Sequence, residues 1–190
     1  EGTDPPIEHL LTREGWAPPS VTMRLYKVNS AFVRDRMLRR WRGPSDIVIV
    51  PWADLRDHER LALEGSAALP FPYPERLSPA QDAEAREPLN SLALRDRHGE
   101  IGGWLVTHRI APDTIRFTTL FVREDLRGRG CSVALIREAA TRQHRALGDA
   151  TWVTFGVLAD NPGMLTFVRR VLTPYLDGAR ESRHRTKVLT

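Results

Sequence analysis

The chain has 190 residues, 41% of them hydrophobic and 27% charged, a composition that suits one globular domain of ordinary size with room for an appendage. No window approaches the roughly 18 apolar residues of a membrane span, and the lone Cys131 excludes an internal disulfide framework or a cysteine-based zinc site. The net charge of +4 is almost all arginine, the only lysines being Lys27 and Lys187, and the arginines scatter along the chain instead of clustering with aromatics.

That scatter fits a coding bias as readily as an anionic ligand, and it argues against a nucleic-acid groove. No metal, nucleic-acid or membrane partner is expected. The start, Glu1-Gly2-Thr3-Asp4-Pro5-Pro6, has neither a basic nor an apolar signal region, so no signal peptide is expected there. With no initiator methionine the chain reads as a segment of something longer, and a cytoplasmic location is expected.

In chain order, Ile7 to Gly15 reads as a short helix carrying Ile7, Leu10 and Leu11 on one face. Pro18-Pro19 breaks it, and the alternation of Val21, Met23 and Leu25 with Thr22, Arg24 and Tyr26 predicts a strand to Val28. Ser30 is placed to cap a helix from Ala31 to about Trp41, ended by Gly43-Pro44. Asp46–Val50 is a short β-branched run, hence a strand, and Leu55–Leu63 reads as a helix. Four of the 14 prolines fall within 70–79, a proline-aromatic loop.

The centre is clearer. Leu89–Arg95, Ile101–Ile110 and Thr114–Val122 are strand-like runs separated by the turns Asp96-Arg97-His98-Gly99 and Ala111-Pro112-Asp113, an antiparallel meander. A glycine-rich loop, a helix from about Ser132 to Leu147, and a strand Thr151–Leu158 follow. This strand–helix–strand unit makes a parallel crossover. A helix after Asn161-Pro162 and a closing strand or strand pair over 175–189 complete the order. The class is therefore α+β, a mixed sheet that is α/β in the looser sense.

The loop Arg127-Gly128-Arg129-Gly130-Cys131-Ser132 lies between a strand and a helix. Glycines let several amide N–H groups point inward, and the following helix adds unpaired N–H groups and the positive end of its dipole. The result is an anion site of pyrophosphate size, with Arg127 and Arg129 at its rim. A nucleotide P-loop would need a Lys after its last glycine, and a dinucleotide fingerprint a third glycine near Val133 within a parallel array; neither is present.

This loop resembles the Arg/Gln-x-x-Gly-x-Gly/Ala signature of the GNAT (Gcn5-related N-acetyltransferase) superfamily, with Ser132 in place of the usual last small residue. Leu120-Phe121-Val122 five residues earlier, Asn161 after the next strand, Phe167 in the next helix and the element order all fit, over about residues 46–190. The resemblance implies acetyl-CoA or another acyl-CoA as co-substrate. It lies in a cleft where Thr114–Val122 and Thr151–Leu158 splay apart, touching Leu120, Phe121, Val122, the 127–132 loop (Arg127, Gly128, Arg129, Gly130, Cys131, Ser132) and Asn161. An amine of a small molecule attacks the thioester directly. Cys131 takes a core-facing slot in the pattern and is not expected to be a nucleophile.

The catalytic positions depart from the family. Where many relatives carry a Glu before the loop, this chain has Arg116, followed by Thr118 and Thr119. Where many carry a Tyr beside the Phe, Val168 follows Phe167. The general base and acid are therefore unassigned, with His108, Asp160 and Tyr175 as candidates, the alternative for Asp160 being only a cap for the helix that begins after Asn161. Arg116 and Thr118 are candidates for binding the acceptor, as are Phe71 and Tyr73 of the proline-aromatic loop. An acyl-CoA-binding module with little transferase activity is the alternative. Residues 1–45 are expected to form a helix–strand–helix extension ahead of the 46–190 domain. Their resemblance to a GNAT ending fits a tandem-GNAT remnant, the tail of an upstream domain, or a segment pairing with a sheet edge, with a homodimer among the arrangements.

Overall fold

A computed structural model describes residues 5–41, 43–64 and 74–187. Twelve helices and strands follow one another, with short 3-10 turns between several: α1 (Pro5–Arg13), β1 (Ser20–Asn29), α2 (Arg36–Arg40), β2 (Val48–Pro51), α3 (Asp57–Glu64), β3 (Leu92–Arg95), β4 (Ile101–Ala111), β5 (Thr114–Val122), α4 (Cys131–Leu147), β6 (Trp152–Leu158), α5 (Pro162–Phe167) and β7 (Leu176–His184). All seven strands join one sheet in the order β2-β3-β4-β5-β6-β1-β7. Every neighbouring pair is antiparallel except β5 and β6. This is the mixed α+β sheet the sequence predicts. Among the described residues no helix is long and apolar enough to cross a membrane.

The expected division at residue 45 does not divide the sheet. β1 lies between β6 and β7, pairing Met23–Asn29 with Leu158–Trp152 on one side and Ser20–Val28 with His184–Leu176 on the other. The first strand is thus an interior strand, and Val28 near its end is fully buried in the core. The closing region supplies one strand, β7, and not a pair.

The helix expected over residues 31–41 is also different. Asn29, not Ser30, accepts the capping hydrogen bond from the Ala31 amide, and a 3-10 turn runs to Arg34. Asp35 then breaks the helix and caps a new one by accepting from the Met37 amide. Ser30 is instead buried, its hydroxyl 2.8 Å from Thr151 Oγ1 and 3.1 Å from His144 Nδ1, which ties the end of β1 to α4 and the start of β6.

Each face of the sheet carries its own core. Under α4, Leu92, Leu94, Leu105, Ile115, Val153 and Val157 meet Leu135, Ile136, Ala139 and Ala140 of the helix. On the opposite face Trp52, Leu55, Leu63, Ala93, Trp104, Val106 and Phe121 pack together. Full burial of side chains of this size is worth about 1.5–3 kcal/mol each, so both faces hold the central strands firmly.

One ion-pair group pins α3 to β3. Glu59, only 6% exposed, accepts from Arg56 (2.6 Å) and from Arg95 (2.7 Å). The hydrogen bond from Arg56 leads, helped by Arg95, and the Glu59 carboxyl falls from 4.5 to about 2 despite its burial. A carboxyl depressed by folding contributes stability above its unfolded value and loses it as pH falls through its folded one. Acid unfolding between about pH 4.5 and 2 is expected to carry this loss, of up to about 3 kcal/mol. Urea titrations of Glu59→Gln across that range check it: the variant starts less stable at neutral pH and shows a flatter acid limb.

Candidate functional site

The site grows from one irregularity in β5. Its parallel pairing with β6 runs only from Thr114↔Trp152 to Phe117↔Phe155 and then stops. On its other side β5 stays paired with β4 to Gly103↔Val122, but the register shifts: Thr107 faces Phe117 and Val106 faces Thr119, leaving Thr118 as an extra residue. Such a bulge bends and twists its strand. It also reverses which residues face which side. Ile115 and Phe117 before it, and Val122 after it, belong to the core under α4, whereas Phe121 belongs to the opposite core. β6 meanwhile follows β1 as far as Leu158. The two central strands therefore part.

A cavity of about 580 Å³ fills the gap. β5 contributes Thr118, Leu120 and Val122 to its walls, β6 Phe155 to Leu158, and α4 Ser132 and Ile136. Asn161, Met164 and Phe167 close one end, and Pro74, Arg76 and Leu77 come from the described end of the proline-aromatic loop. The Trp104 indole N–H donates to the Leu77 carbonyl at 2.9 Å, fixing that loop to the sheet.

At the head of the cavity stands the glycine loop. Arg123 anchors its approach, bonding Asp125 (2.7 Å) and Asp96 (2.6 Å). Burial pushes the Asp96 carboxyl up, but Arg123 and the amides of His98 and Glu100 outweigh it and hold the group below its usual range. The Arg127 amide closes a turn on Glu124. The amides of Gly128 to Ser132 make no close hydrogen bond to a described backbone carbonyl, and of these residues Ser132, at the start of α4, lines the cavity.

The loop's arginines behave differently from each other. Arg127 lines the cavity and its Nε donates to the Val122 carbonyl (3.1 Å), tying the loop to the end of β5. Arg129 does not line it: its guanidinium bonds the Asp46 carboxylate (2.7 Å) ahead of β2, which lowers the Asp46 carboxyl. The pair lies at the surface, its side chains 41% and 34% exposed. Gly128, Gly130 and Cys131 also lie off the cavity lining; they shape the loop. Cys131 is 1% exposed and burial pushes its thiol up, which leaves it inert as a nucleophile.

The two glycines are constrained to different degrees. Gly128 has φ +73 with open space where a side chain would go, whereas Gly130 has φ +86 and a Cβ there would meet the Trp41 ring at 2.5 Å. Trp41 therefore roofs the loop, a contact the sequence did not reveal.

The remaining expected residues separate. Asn161 both lines the cavity and caps α5, accepting from the Met164 amide (3.1 Å), so the cap offered to Asp160 belongs to Asn161. Asp160 is exposed and outside the lining, as is the half-buried Tyr175, whose hydroxyl is pushed up by burial and then by Asp35. Neither is placed for proton transfer in the cavity. Phe71 and Tyr73 lie outside the described residues. His108 and Arg116 line a second hollow, of about 480 Å³, together with Asp82, Glu84, Arg109 and Thr118.

No family model and no curated protein matches the sequence. Solved structures do match in shape. A GCN5-related N-acetyltransferase from Sphaerobacter thermophilus superposes with a TM-score of 0.56 at 22% identity, over 94% of this chain and 55% of that one. One from Kribbella flavida gives 0.52 at 19% identity, over 95% and 62%. A tandem GNAT protein from the clavulanic acid biosynthesis pathway gives 0.63 at 13% identity, over 98% and 59%.

The chain has the GNAT fold.

It spans less than two thirds of the length of each of these GNAT structures. At these identities the likeness is one of fold. Gly130→Ala is expected to cost about 2 kcal/mol or more, against about 1 kcal/mol for Gly128→Ala, since both force a left-handed residue but only the first meets Trp41. Urea midpoints compare them, and adding Trp41→Ala should remove the excess at Gly130 and leave Gly128→Ala unchanged.

Proposed function

We propose that this chain is an acyl-CoA-dependent N-acyltransferase that moves an acetyl group from acetyl-CoA to an amine of a small molecule. The observation that carries this reading is the cavity between the parted ends of β5 and β6, which runs from Thr118 to Arg127 and Ser132 at the start of α4. A pyrophosphate fits that end by charge and by unpaired N–H groups. The polar backbone of β5 beyond Phe117 faces no strand on that side, so it is free to pair with the amide-bearing arm of coenzyme A as a strand would.

The chemistry that follows is direct transfer. The amine nitrogen bonds to the thioester carbonyl carbon, the carbon–sulfur bond breaks, and coenzyme A leaves with the electron pair. A backbone N–H near Val122 would stabilise the negative charge on the carbonyl oxygen. Holding both reactants in one cavity supplies much of the rate by orientation. The Arg116 side chain makes no ion pair or hydrogen bond with a described residue, and we assign it to an anionic group on the acceptor.

One observation favours a second reading, an acyl-CoA-binding module. No described residue lining the main cavity carries a carboxylate, imidazole or phenol. Calorimetry with acetyl-CoA, beside thiol release from acetyl-CoA with a panel of amines, separates the two: binding with turnover supports the enzyme, binding without turnover the module. Ser132→Glu, which puts a carboxylate at the start of α4 beside the pyrophosphate position, is expected to weaken acetyl-CoA binding about 10-fold or more. Unchanged affinity in that variant argues against the loop as the anion site.

A further inference from the structure

An amine attacking a thioester must lose a proton, and the described residues lining the main cavity offer no titratable group to take one except arginines, which cannot. Among the described residues, Thr118 alone lines both the main cavity and the second hollow. It is the extra residue of the bulge. Behind it stands His108, 7% exposed, with Nδ1 at 2.6 Å from Thr118 Oγ1 and Nε2 at 3.1 Å from the Asp82 carbonyl oxygen. A carbonyl can only accept, so Nε2 carries the hydrogen, and Nδ1 of the neutral ring accepts from the Thr118 hydroxyl. Asp82 is the sole described non-glycine residue with positive φ (+50), a costly conformation kept at the residue that fixes this tautomer.

From this geometry we infer that Thr118 and His108 form a proton relay that serves the acceptor amine. The inference rests on the transferase reading above. As the nitrogen bonds to the thioester carbon, its surplus proton passes to Thr118 Oγ1 and the hydroxyl's own proton passes to His108 Nδ1. The carbon–sulfur bond breaks, coenzyme A leaves as the thiolate, and the imidazolium returns its proton to water through the second hollow. Thr118 is the group in contact with substrate, and His108 acts through it.

The charges around the ring are compatible with an imidazolium. The Asp82 and Glu84 carboxylates come from the 82–85 turn and share its hollow. Arg109, next along β4, is paired with Glu87 at 2.7 Å. Arg86, bridged to the His108 backbone, is ion-paired with Glu64. Arg116 on β5, directly across from His108, is the one opposing charge without a described partner, and an anionic group on the acceptor would offset it.

The test uses the whole chain, acetyl-CoA, and the most active of benzylamine, tyramine, ethanolamine and L-lysine as acceptor. His108→Gln and Thr118→Val are each expected to lower kcat/KM for the amine about 100-fold or more, while calorimetric affinity for acetyl-CoA stays within about twofold. His108→Gln should also remove one ionisation from the pH–rate profile. Thr118→Ser should restore most of the rate, and the double variant should be no slower than either single one. Wild-type rates and an unchanged pH–rate profile in His108→Gln, or equal loss in Thr118→Ser and Thr118→Val, overturn the relay and leave the transferase standing. Acetyl-CoA binding by the unaltered chain without thiol release from any amine at any pH overturns both.

Discussion

The whole site depends on how two parallel strands stop being partners. β5 and β6 exchange hydrogen bonds for four residue pairs and are then pulled apart by their outer neighbours, β4 on one side and β1 on the other. Neither central strand could hold open polar backbone against a dry core, since an unpaired buried N–H or C=O is costly. The gap therefore has to be filled by water or by something that hydrogen-bonds like a strand. The bulge at Thr118 makes the parting local: one extra residue lets β4 stay paired to β5 throughout while the side chains beyond it change faces. The cavity is thus a property of the register more than of any one side chain.

Charge is arranged to serve the scaffold before the ligand. Several arginines pair with acids of the scaffold: Arg95 with Glu59, Arg86 with Glu64, Arg109 with Glu87, Arg123 with Asp96 and Arg129 with Asp46. All five of these acids are buried or half-buried, where a lone carboxylate would be expensive, and a guanidinium satisfies two oxygens at once. Within the loop, the pairing of Arg129 leaves the anion preference to Arg127, the backbone amides and the start of α4.

Local features were legible in the sequence, and long-range ones were not. The helix read as starting at about Ser132 starts at Cys131 and ends at Leu147 as read, because positive-φ glycines at 130 and 148 mark both ends in the chain itself. The meander, the loop and the Asn161 turn were readable for the same reason: turn chemistry is written in neighbouring residues. The bulge was invisible because Thr118 becomes extra only relative to β4, and no local pattern announces a register shift. Trp41 over Gly130, and Asp46 on Arg129, join segments more than eighty positions apart. The helix after Ser30 was misread because hydrophobic spacing favoured one continuous helix while Asp35 and Asn29 each offered a competing cap. Residues 1–45 looked like an appendage for a similar reason: nothing in β1 says which strands it will lie between.

That last placement has a temporal consequence. β1 is made before both of the strands that flank it, so its pairing must wait until β6 and β7 have been synthesised. The parallel pair at the centre then has its β6 side braced only once this earlier strand returns to close the seam. Sequence-distant pairing of this kind slows folding, because the loop must be closed before any contact repays it. The mouth between β5 and β6 is accordingly expected to be the last part of the molecule to mature, and a polypeptide cut short before β6 would lack the seat on which its own first strand settles.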